Sequence, residues 1–114
     1  MKISKFEDLI CWKKSQVFIV NVYKIFLNLK DYSFKDQILR AAVSISNNIA
    51  EGFERYSNKD FRKFLYISKG SCGEVRSMLH LAVVLGYISE EQFNSLHEQS
   101  VEISKVLSGL IKTL

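Results

Sequence analysis

The helical pattern of this chain is clearest in residues 33–53, SFKDQILRAAVSISNNIAEGF. Apolar side chains recur there at intervals of three and four residues, which places them on one face of an α-helix. The members of this stripe are Phe34, Ile38, Ala41, Ala42, Ile45, Ile49 and Phe53. The whole chain of 114 residues lacks proline, so no residue obliges a helix to end. The stretch therefore predicts a long amphipathic helix with one buried face.

The same spacing continues in two downstream segments. One stripe comprises Phe61, Phe64, Leu65, Ser68, Cys72, Val75, Leu79, Ala82 and Val83, and the next comprises Phe93, Leu96, Ser100, Ile103, Leu107, Leu110 and Leu114. The regular alternation of three and four favours helices whose axes are nearly aligned.

A repeated serine signal marks where each helix is expected to begin. A serine is followed three residues later by an acid or an amide at Ser4/Glu7, Ser33/Asp36, Ser57/Asp60 and Ser89/Gln92. A serine N-cap satisfies a free backbone N–H, and the later side chain can bond back. With Gly86 as a C-terminal cap, helices are predicted at about 5–30, 34–54, 58–85 and 90–113. Short connections favour a single all-α domain over residues 1–114, an antiparallel up-down four-helix bundle.

The first predicted helix carries two apolar stripes rather than one. One stripe contains Leu9, Val17, Val20, Tyr23 and Leu27, and the other contains Trp12, Ile19, Val22, Phe26 and Leu29. Either this helix is deeply buried, or one stripe contacts a second copy of the chain. For the second alternative, our hypothesis assigns the oligomer interface to the stripe that begins at Trp12.

The composition limits the classes of function. The net charge is +4 and 47% of the residues are hydrophobic, which is typical of a globular domain. No apolar run is long enough to span a membrane, and the first residues lack the apolar segment of a secretory signal. The two cysteines, Cys11 and Cys72, have neither metal-binding nor redox spacing. We therefore expect free thiols in a reducing cytoplasm and no membrane partner.

Catalytic and metal-binding signatures are absent from the sequence. His80 and His97 belong to no Glu-x-x-His motif, because Ser77 and Asn94 occupy the positions three residues before them. The glycine-containing segment 70–73 lacks the lysine of a phosphate-binding loop. We expect no enzymatic activity, no catalytic residues, no cofactor and no metal.

A polar row on helix two is the first remaining candidate for function. Its members are Gln37, Arg40, Ser44, Asn47, Asn48, Glu51 and Arg55. Amides and hydroxyls dominate where a solvated face normally carries Lys and Glu. Such groups tend to fix helix register through hydrogen bonds, which favours a structural role over a ligand site.

A basic row on helix three is the second candidate. Lys59, Arg62, Tyr66, Lys69, Gly73, Arg76 and His80 follow the three–four spacing, with Lys63 beside them. Residues 57–86 carry a net charge of +3 and residues 1–30 carry +4, whereas 31–56 and 87–114 carry −1 and −2. A row of cations with one tyrosine suits RNA, because the cations contact phosphates and the tyrosine stacks on an unpaired base. The alternative is an ordinary solvated helix surface.

The segment from Gln37 to Phe53 closely resembles the signature of the 23S rRNA-intervening-sequence protein family, also called four helix bundle proteins. Its Asn-Ile-Ala-Glu-Gly core, residues 48–52, is specific, and the resemblance extends over almost the whole chain. Further matches are Phe6, Leu9, Trp12, Arg55, Ser57, Phe61, Phe64, Leu65, Gly70, Ser71, Glu74 and Leu85-Gly86-Tyr87. The family's usual prolines in the first connection and shortly before Asn48 are missing here, which affects local geometry only.

The resemblance implies a four-helix bundle that assembles into a ring-like homopentamer and has no enzymatic activity. Genes of the family are often found inside insertions in bacterial 23S ribosomal RNA genes, and a distant relative with a basic surface assists a reverse transcriptase. The residues that match the family pattern are Gln37, Arg40, Ser44, Asn48, Glu51, Gly52, Arg55, Gly70, Ser71 and Glu74. We expect them to be structural.

Three functions follow from these patterns. The first is a non-enzymatic, oligomeric bundle that binds RNA through Lys59, Arg62, Lys63, Tyr66, Lys69 and Arg76. The second is an interaction scaffold or accessory subunit for a protein partner, for example a reverse transcriptase. The third, which the sequence favours least, is a bundle that binds a metal or a small molecule.

Overall fold

The computed structural model describes residues 3–114, and these residues form four α-helices and no β-strand. The helices are α1 (Ile10–Phe26), α2 (Tyr32–Phe53), α3 (Asn58–Val84) and α4 (Glu90–Lys112), preceded by a 3₁₀ turn at Phe6–Asp8. Both α1 and α3 pack against α2 and α4 but not against each other, so they occupy opposite corners of a unit measuring 44 × 22 × 18 Å. None of the helices in this part of the chain is long and apolar enough to cross a membrane.

The predicted stripes of α2, α3 and α4 form the core. The fully covered side chains include Ile38, Ile45, Ile49, Leu65, Val75, Leu79 and Leu107. Polar groups within this core are paired: the Ser68 hydroxyl donates to the Ile45 carbonyl at 2.7 Å and so joins α3 to α2. Among the described residues, no buried side-chain nitrogen or oxygen lacks a hydrogen bond. The core is therefore continuous across the three helices, as the sequence predicted.

The serine signals at the starts of α3 and α4 are confirmed. The Ser57 hydroxyl accepts a hydrogen bond from the Asp60 backbone N–H at 3.2 Å. Ser89 forms a full capping box, because its hydroxyl accepts from the Gln92 backbone at 3.0 Å and its own N–H donates to the Gln92 side chain at 2.9 Å. Gly86 ends α3 as predicted. Its φ of 77° is a backbone conformation that residues with a side chain rarely adopt.

The serine signals at the starts of α1 and α2 are wrong. The first helix begins at Ile10 rather than near residue 5, because the chain first makes a 3₁₀ turn. This turn is followed by the buried Leu9, and the Phe6 ring packs edge-on against the Trp12 ring, with the ring centroids 5.4 Å apart. It ends at Phe26 rather than near residue 30. Asp31, not Ser33, caps α2.

Asp31 prevails at the start of α2 because its carboxylate serves two donors. It accepts from the Phe34 backbone N–H at 3.1 Å and from the Tyr87 hydroxyl at 2.6 Å. The bond from Tyr87 lowers the pKa of the Asp31 carboxyl, and the same bond raises the pKa of the Tyr87 hydroxyl. The start of α2 is thereby tied to the segment that follows α3.

The structure corrects the oligomer interface assigned to α1 at two of its five residues. Val22 is 0% exposed and Phe26 is 1% exposed, so both belong to the core of the single chain. Trp12, Ile19 and Leu29 are half-buried against that core. The opposite stripe is exposed apart from Leu9, since Val17, Val20 and Leu27 keep half or more of their surface in solvent. Spacing alone defines two faces of α1, and tertiary packing decides which of them is covered.

Removing buried volume from α2 tests this core. We expect Ile45→Ala to lower the free energy of unfolding by about 2–5 kcal/mol, because Ile45 is fully covered and its loss leaves a cavity. Tyr56→Ala is the control, since Tyr56 is fully exposed in the α2–α3 connection and surface changes usually cost less than about 0.5 kcal/mol. Urea unfolding followed by circular dichroism measures both, and equal stability of the two variants would contradict the assigned helix face.

Candidate nucleic-acid interface

Half of the family-pattern residues form a polar seam between α2 and α3. The Ser44 and Ser71 hydroxyls lie 2.8 Å apart across the two helices. The Asn48 amide donates to the Ser44 carbonyl at 2.8 Å and to the Ser44 hydroxyl at 2.9 Å. One turn or more away, the Gln37 amide donates to the Glu74 carboxylate at 3.4 Å. These contacts join α2 to α3 and fix side chains within α2.

Gly52 allows the closest approach of the two helices. A Cβ atom added at Gly52 would lie 2.5 Å from the Phe64 Cβ and 3.3 Å from the Phe61 carbonyl oxygen. Both of those atoms are fixed by the α3 backbone, so they have little freedom to move aside. Glycine is therefore required here by packing.

Four other family-pattern residues lie at the surface, namely Arg40, Glu51, Arg55 and Gly70. The Arg55 guanidinium lies 4.8 Å above the Phe64 ring and 3.6 Å from the Glu51 carboxylate of its own helix. Arg40 is exposed beside the seam. Gly70 is also exposed, and no atom lies within 4 Å of where its Cβ would be. Packing within one chain gives no reason for glycine at position 70.

The predicted basic row lies on α3 without acidic partners. Lys59, Lys63 and Tyr66 are exposed, whereas Arg62, Lys69 and Arg76 are half-buried. Ion pairs in the described residues join Lys14 to Glu102 and Arg55 to Glu51, and none includes a member of the row. The row therefore presents uncompensated positive charge beside an exposed aromatic ring.

Arg62 differs from the rest of the row because it serves the fold. Its guanidinium donates to the Leu114 carbonyl oxygen at 2.7 Å. The last carbonyls of a helix lack partners within the helix, and a cation there is favourable. Arg62 thus ties α3 to the segment that ends α4, and a substitution at this position would disturb packing as well as charge.

A groove between α3 and α4 adds residues that the sequence patterns did not single out. Its volume is about 560 Å³, and its lining comprises Arg76, His97, Val101, Ser104, Lys105, Ser108, Gly109 and Lys112. Lys105 and Lys112 are seven residues apart, which places them two turns apart on one face of α4. That spacing is the signal that was available in the sequence.

An aromatic cluster borders the same groove. The His80 and His97 ring centroids lie 5.5 Å apart, and Phe93 lies 4.9 Å from His80 and 5.1 Å from His97. The described residues contain no group of three or more His, Cys, Asp or Glu side chains placed to hold a metal ion. The ring distances show that the two histidines pack against each other and against Phe93.

The cysteines are poor nucleophiles in this structure. Cys11 and Cys72 are free and buried. Burial raises the pKa of each thiol to about 11, partly offset at Cys72 by the nearby Arg76 charge. Because the thiolate is the reactive form, both groups remain protonated and unreactive near neutral pH.

Two glycine substitutions test the packing of the seam. Gly→Ala in an open helix position stabilises by roughly 1 kcal/mol, and Gly109 has no atom within 4 Å of its missing Cβ. We expect Gly109→Ala to be stabilising, whereas Gly52→Ala should destabilise by about 1–3 kcal/mol because α2 and α3 must separate. Urea unfolding measures both, and a stabilised Gly52→Ala variant would show that the close approach is dispensable.

Comparison with known proteins agrees with this fold. The family described as 23S rRNA-intervening sequence protein matches residues 7–109 of the chain. A 1.70 Å crystal structure of a protein of unknown function, from the S23 ribosomal protein family of Bacteroides thetaiotaomicron VPI-5482, is 32% identical. Its alignment covers 90% of this chain and 96% of that chain, with a TM-score of 0.84. No curated protein matches the chain.

Proposed function

Because the chain belongs to the 23S rRNA-intervening sequence protein family, we propose that it is a non-enzymatic, oligomeric four-helix bundle that binds RNA through the basic surface of α3. The observation that carries the proposal is the basic row itself. Its cations have no carboxylate partner within residues 3–114, and Tyr66 beside them is 56% exposed. Phosphates would supply the missing counter-charges, and an unpaired base would cover the tyrosine ring.

The proposed bundle has an antiparallel up-down arrangement. Tyr87, just after α3, bonds Asp31 at the start of α2. Arg62, near the start of α3, bonds Leu114 beyond the end of α4. These two contacts favour an α3 that runs opposite to both of its neighbours. The buried, protonated thiols support a non-enzymatic role, and free cysteines suit the cytoplasm of a bacterium.

The proposed oligomer uses two exposed stripes at opposite corners of the bundle. The α1 outer stripe consists of Ile10, Lys13, Val17, Val20, Lys24 and Leu27, and the α3 outer stripe consists of Ile67, Gly70, Glu74, Ser77, Leu81 and Val84. These residues follow the three–four spacing of packed helices, and the apolar members Val17, Leu81 and Val84 are exposed. Val84 is 82% exposed, which is unusual for an apolar side chain that has no partner.

The two stripes complement each other better than either complements itself. The α1 outer stripe contains two lysines and no acid, whereas the α3 outer stripe contains Glu74 and two small residues, Gly70 and Ser77. Small residues allow a second helix to approach closely, which would explain the glycine at position 70. A contact between unlike surfaces is heterologous and forms a ring if its rotation closes after a whole number of subunits, whereas a contact of α1 with α1 would give a dimer. We prefer a pentamer, because the family resemblance implies that number.

Replacing apolar residues of each outer stripe tests this assembly. Light scattering of the parent protein should give several times the 13.2 kDa of one chain. We expect Val17→Glu with Leu27→Glu, and separately Leu81→Glu with Val84→Glu, to give monomers that remain helical, because these side chains are exposed. Ile19→Glu with Phe26→Glu is the contrasting pair and should unfold the chain, since Phe26 is in the core.

Two outcomes would contradict the heterologous ring. A parent protein that is monomeric at micromolar concentration would rule out the oligomer. A parent dimer that responds only to the α1 variants would indicate an α1–α1 contact instead.

The salt dependence of RNA binding tests the basic row. We expect log affinity for single-stranded RNA to fall linearly with log salt concentration, with a slope of about −0.7 for each phosphate contact. Lys59→Glu with Lys63→Glu should weaken binding and flatten the slope, because both side chains are exposed. Tyr66→Ala should cost ~1–3 kcal/mol for single-stranded RNA and much less for duplex RNA. Arg62 is left unchanged because of its bond to Leu114.

The control is Lys5→Glu with Lys30→Glu, which changes the net charge equally at exposed sites outside the row. If the α3 variants bind RNA as the parent does, the row is an ordinary solvated surface. The alternative function, a scaffold or accessory subunit for a protein such as a reverse transcriptase, would then take first place. The exposed apolar side chain of Leu85, which lies outside both outer stripes, favours that alternative, because it suits a protein partner.

A further inference from the structure

We infer that the groove between α3 and α4 is a second part of the nucleic-acid site, in which Arg76, Lys105 and Lys112 hold the phosphate backbone of a single strand. This inference rests on the proposed function and extends it to α4. It also specifies single-stranded rather than duplex nucleic acid as the ligand.

Charge distinguishes this groove from the other four described on the molecule. Each of those contains a carboxylate: Glu102 between α1 and α4, Asp36 between α1 and α2, Glu74 between α2 and α3, and Glu91 beside Ile25. The α3–α4 groove has three cations in its lining and no acid. None of the three cations takes part in an ion pair within the described residues. An anion would therefore meet no repulsion from the lining residues of this groove.

Hydroxyl groups in the groove are free to bind the same anion. Buried serines of this protein donate to backbone carbonyls, as Ser15 does to Cys11 at 2.6 Å and Ser100 does to His97 at 2.7 Å. Ser104 and Ser108 lie one turn apart in the groove lining. Within residues 3–114, neither hydroxyl donates a hydrogen bond to a backbone carbonyl. Hydrogen bonds to charged groups are among the stronger ones, and phosphate oxygens accept them readily.

Gly109 lets a ligand approach the α4 backbone. Glycine within a helix costs roughly 1 kcal/mol relative to alanine. Nothing within 4 Å requires it at this position, so packing of the single chain does not explain it. Close approach of a ligand to the backbone is one of the uses of glycine.

The aromatic cluster at one end of the groove favours a single strand. His97 belongs to the groove lining, and its ring lies 5.5 Å from His80, which is exposed. Bases of a single strand can stack on such rings, whereas bases within a duplex are already stacked on each other. From His97 to Lys112 the helix rises by about 22 Å, enough for a strand to contact both ends of the groove.

The test measures fluorescence anisotropy of a labelled oligouridine and of an RNA duplex of equal length. We expect Lys105→Glu with Lys112→Glu to weaken oligouridine binding at least about tenfold and to flatten the log–log salt slope by about 1.4, because each lysine neutralises one phosphate. Lys105→Gln with Lys112→Gln should act in the same direction to a smaller extent, and it avoids placing an acid at the C-terminal end of α4. Ser104→Ala with Ser108→Ala should weaken binding several-fold without changing the salt slope, because hydroxyls release no counterions.

The control Lys5→Glu with Lys30→Glu has the same change of net charge and should bind nearly as the parent does. An equal loss of affinity in this control would overturn the assignment of the groove as a binding site, because the loss would then follow from net charge alone. If the Lys105/Lys112 variants bind as the parent does while the Lys59/Lys63 variant no longer binds, the groove inference fails and the proposed function stands. If every variant binds as the parent does, both fail. Equal affinity for the duplex, reduced to the same extent in the Lys105/Lys112 variants, would overturn the assignment to a single strand.

Discussion

The close approach of α2 and α3 at Gly52 is the contact on which the rest of this molecule depends. With no Cβ at Gly52, the α3 backbone near Phe61 and Phe64 comes into direct contact with α2. Farther along the same interface, the Ser68 hydroxyl reaches the Ile45 carbonyl, and the hydroxyls of Ser44 and Ser71 meet at 2.8 Å. Contacts at successive turns leave α3 no freedom to rotate about its axis. The orientation of α3 that these contacts fix also directs Lys59, Lys63 and Tyr66 to solvent.

This interface also explains why the family-pattern residues between α2 and α3 are polar. A half-buried hydroxyl or amide costs free energy unless it is hydrogen-bonded. Asn48 satisfies this condition by donating to both oxygens of Ser44, which leaves the Ser44 hydroxyl placed against Ser71. The Ser44–Ser71 contact is possible in one register of α2 and α3 only, because a shift by one residue would separate the two hydroxyls. The seam therefore contributes specificity of packing in addition to stability.

How far the sequence predicts the structure depends on how many patterns each helix carries. Helix α2 has one apolar stripe, so its buried face is correctly predicted from spacing alone. Helix α1 has two, and spacing shows which residues share a face but not which face its neighbours cover. Packing makes that choice, because it buries Val22 and Phe26 and leaves Val17 and Leu27 in solvent. The start of α2 was missed for a similar reason, since Asp31 gains a tertiary hydrogen bond from Tyr87 that local sequence does not reveal.

The contribution of α4 to the candidate site was hidden by its average charge, because residues 87–114 carry a net charge of −2. In the structure, Glu102 pairs with Lys14 of α1, whereas Lys105 and Lys112 line the groove toward α3. Charge has to be assigned to faces rather than to segments before it indicates a partner.

Assembly into a ring would bring basic surfaces of neighbouring chains close together. In a ring joined through the α1 and α3 outer stripes, Lys13 and Lys24 of one copy would lie along α3 of the next, close to the α3 basic row. The α3–α4 groove lies outside both outer stripes, so it would remain accessible in every copy. A single strand that enters one groove would meet the next at a fixed distance, which raises its effective concentration there and increases the overall affinity. Weak contacts in each copy, independent of base sequence, would then suffice for stable binding. The groove suits such binding, because it offers cations that bind phosphates and rings on which bases stack, but no pocket shaped for a particular base.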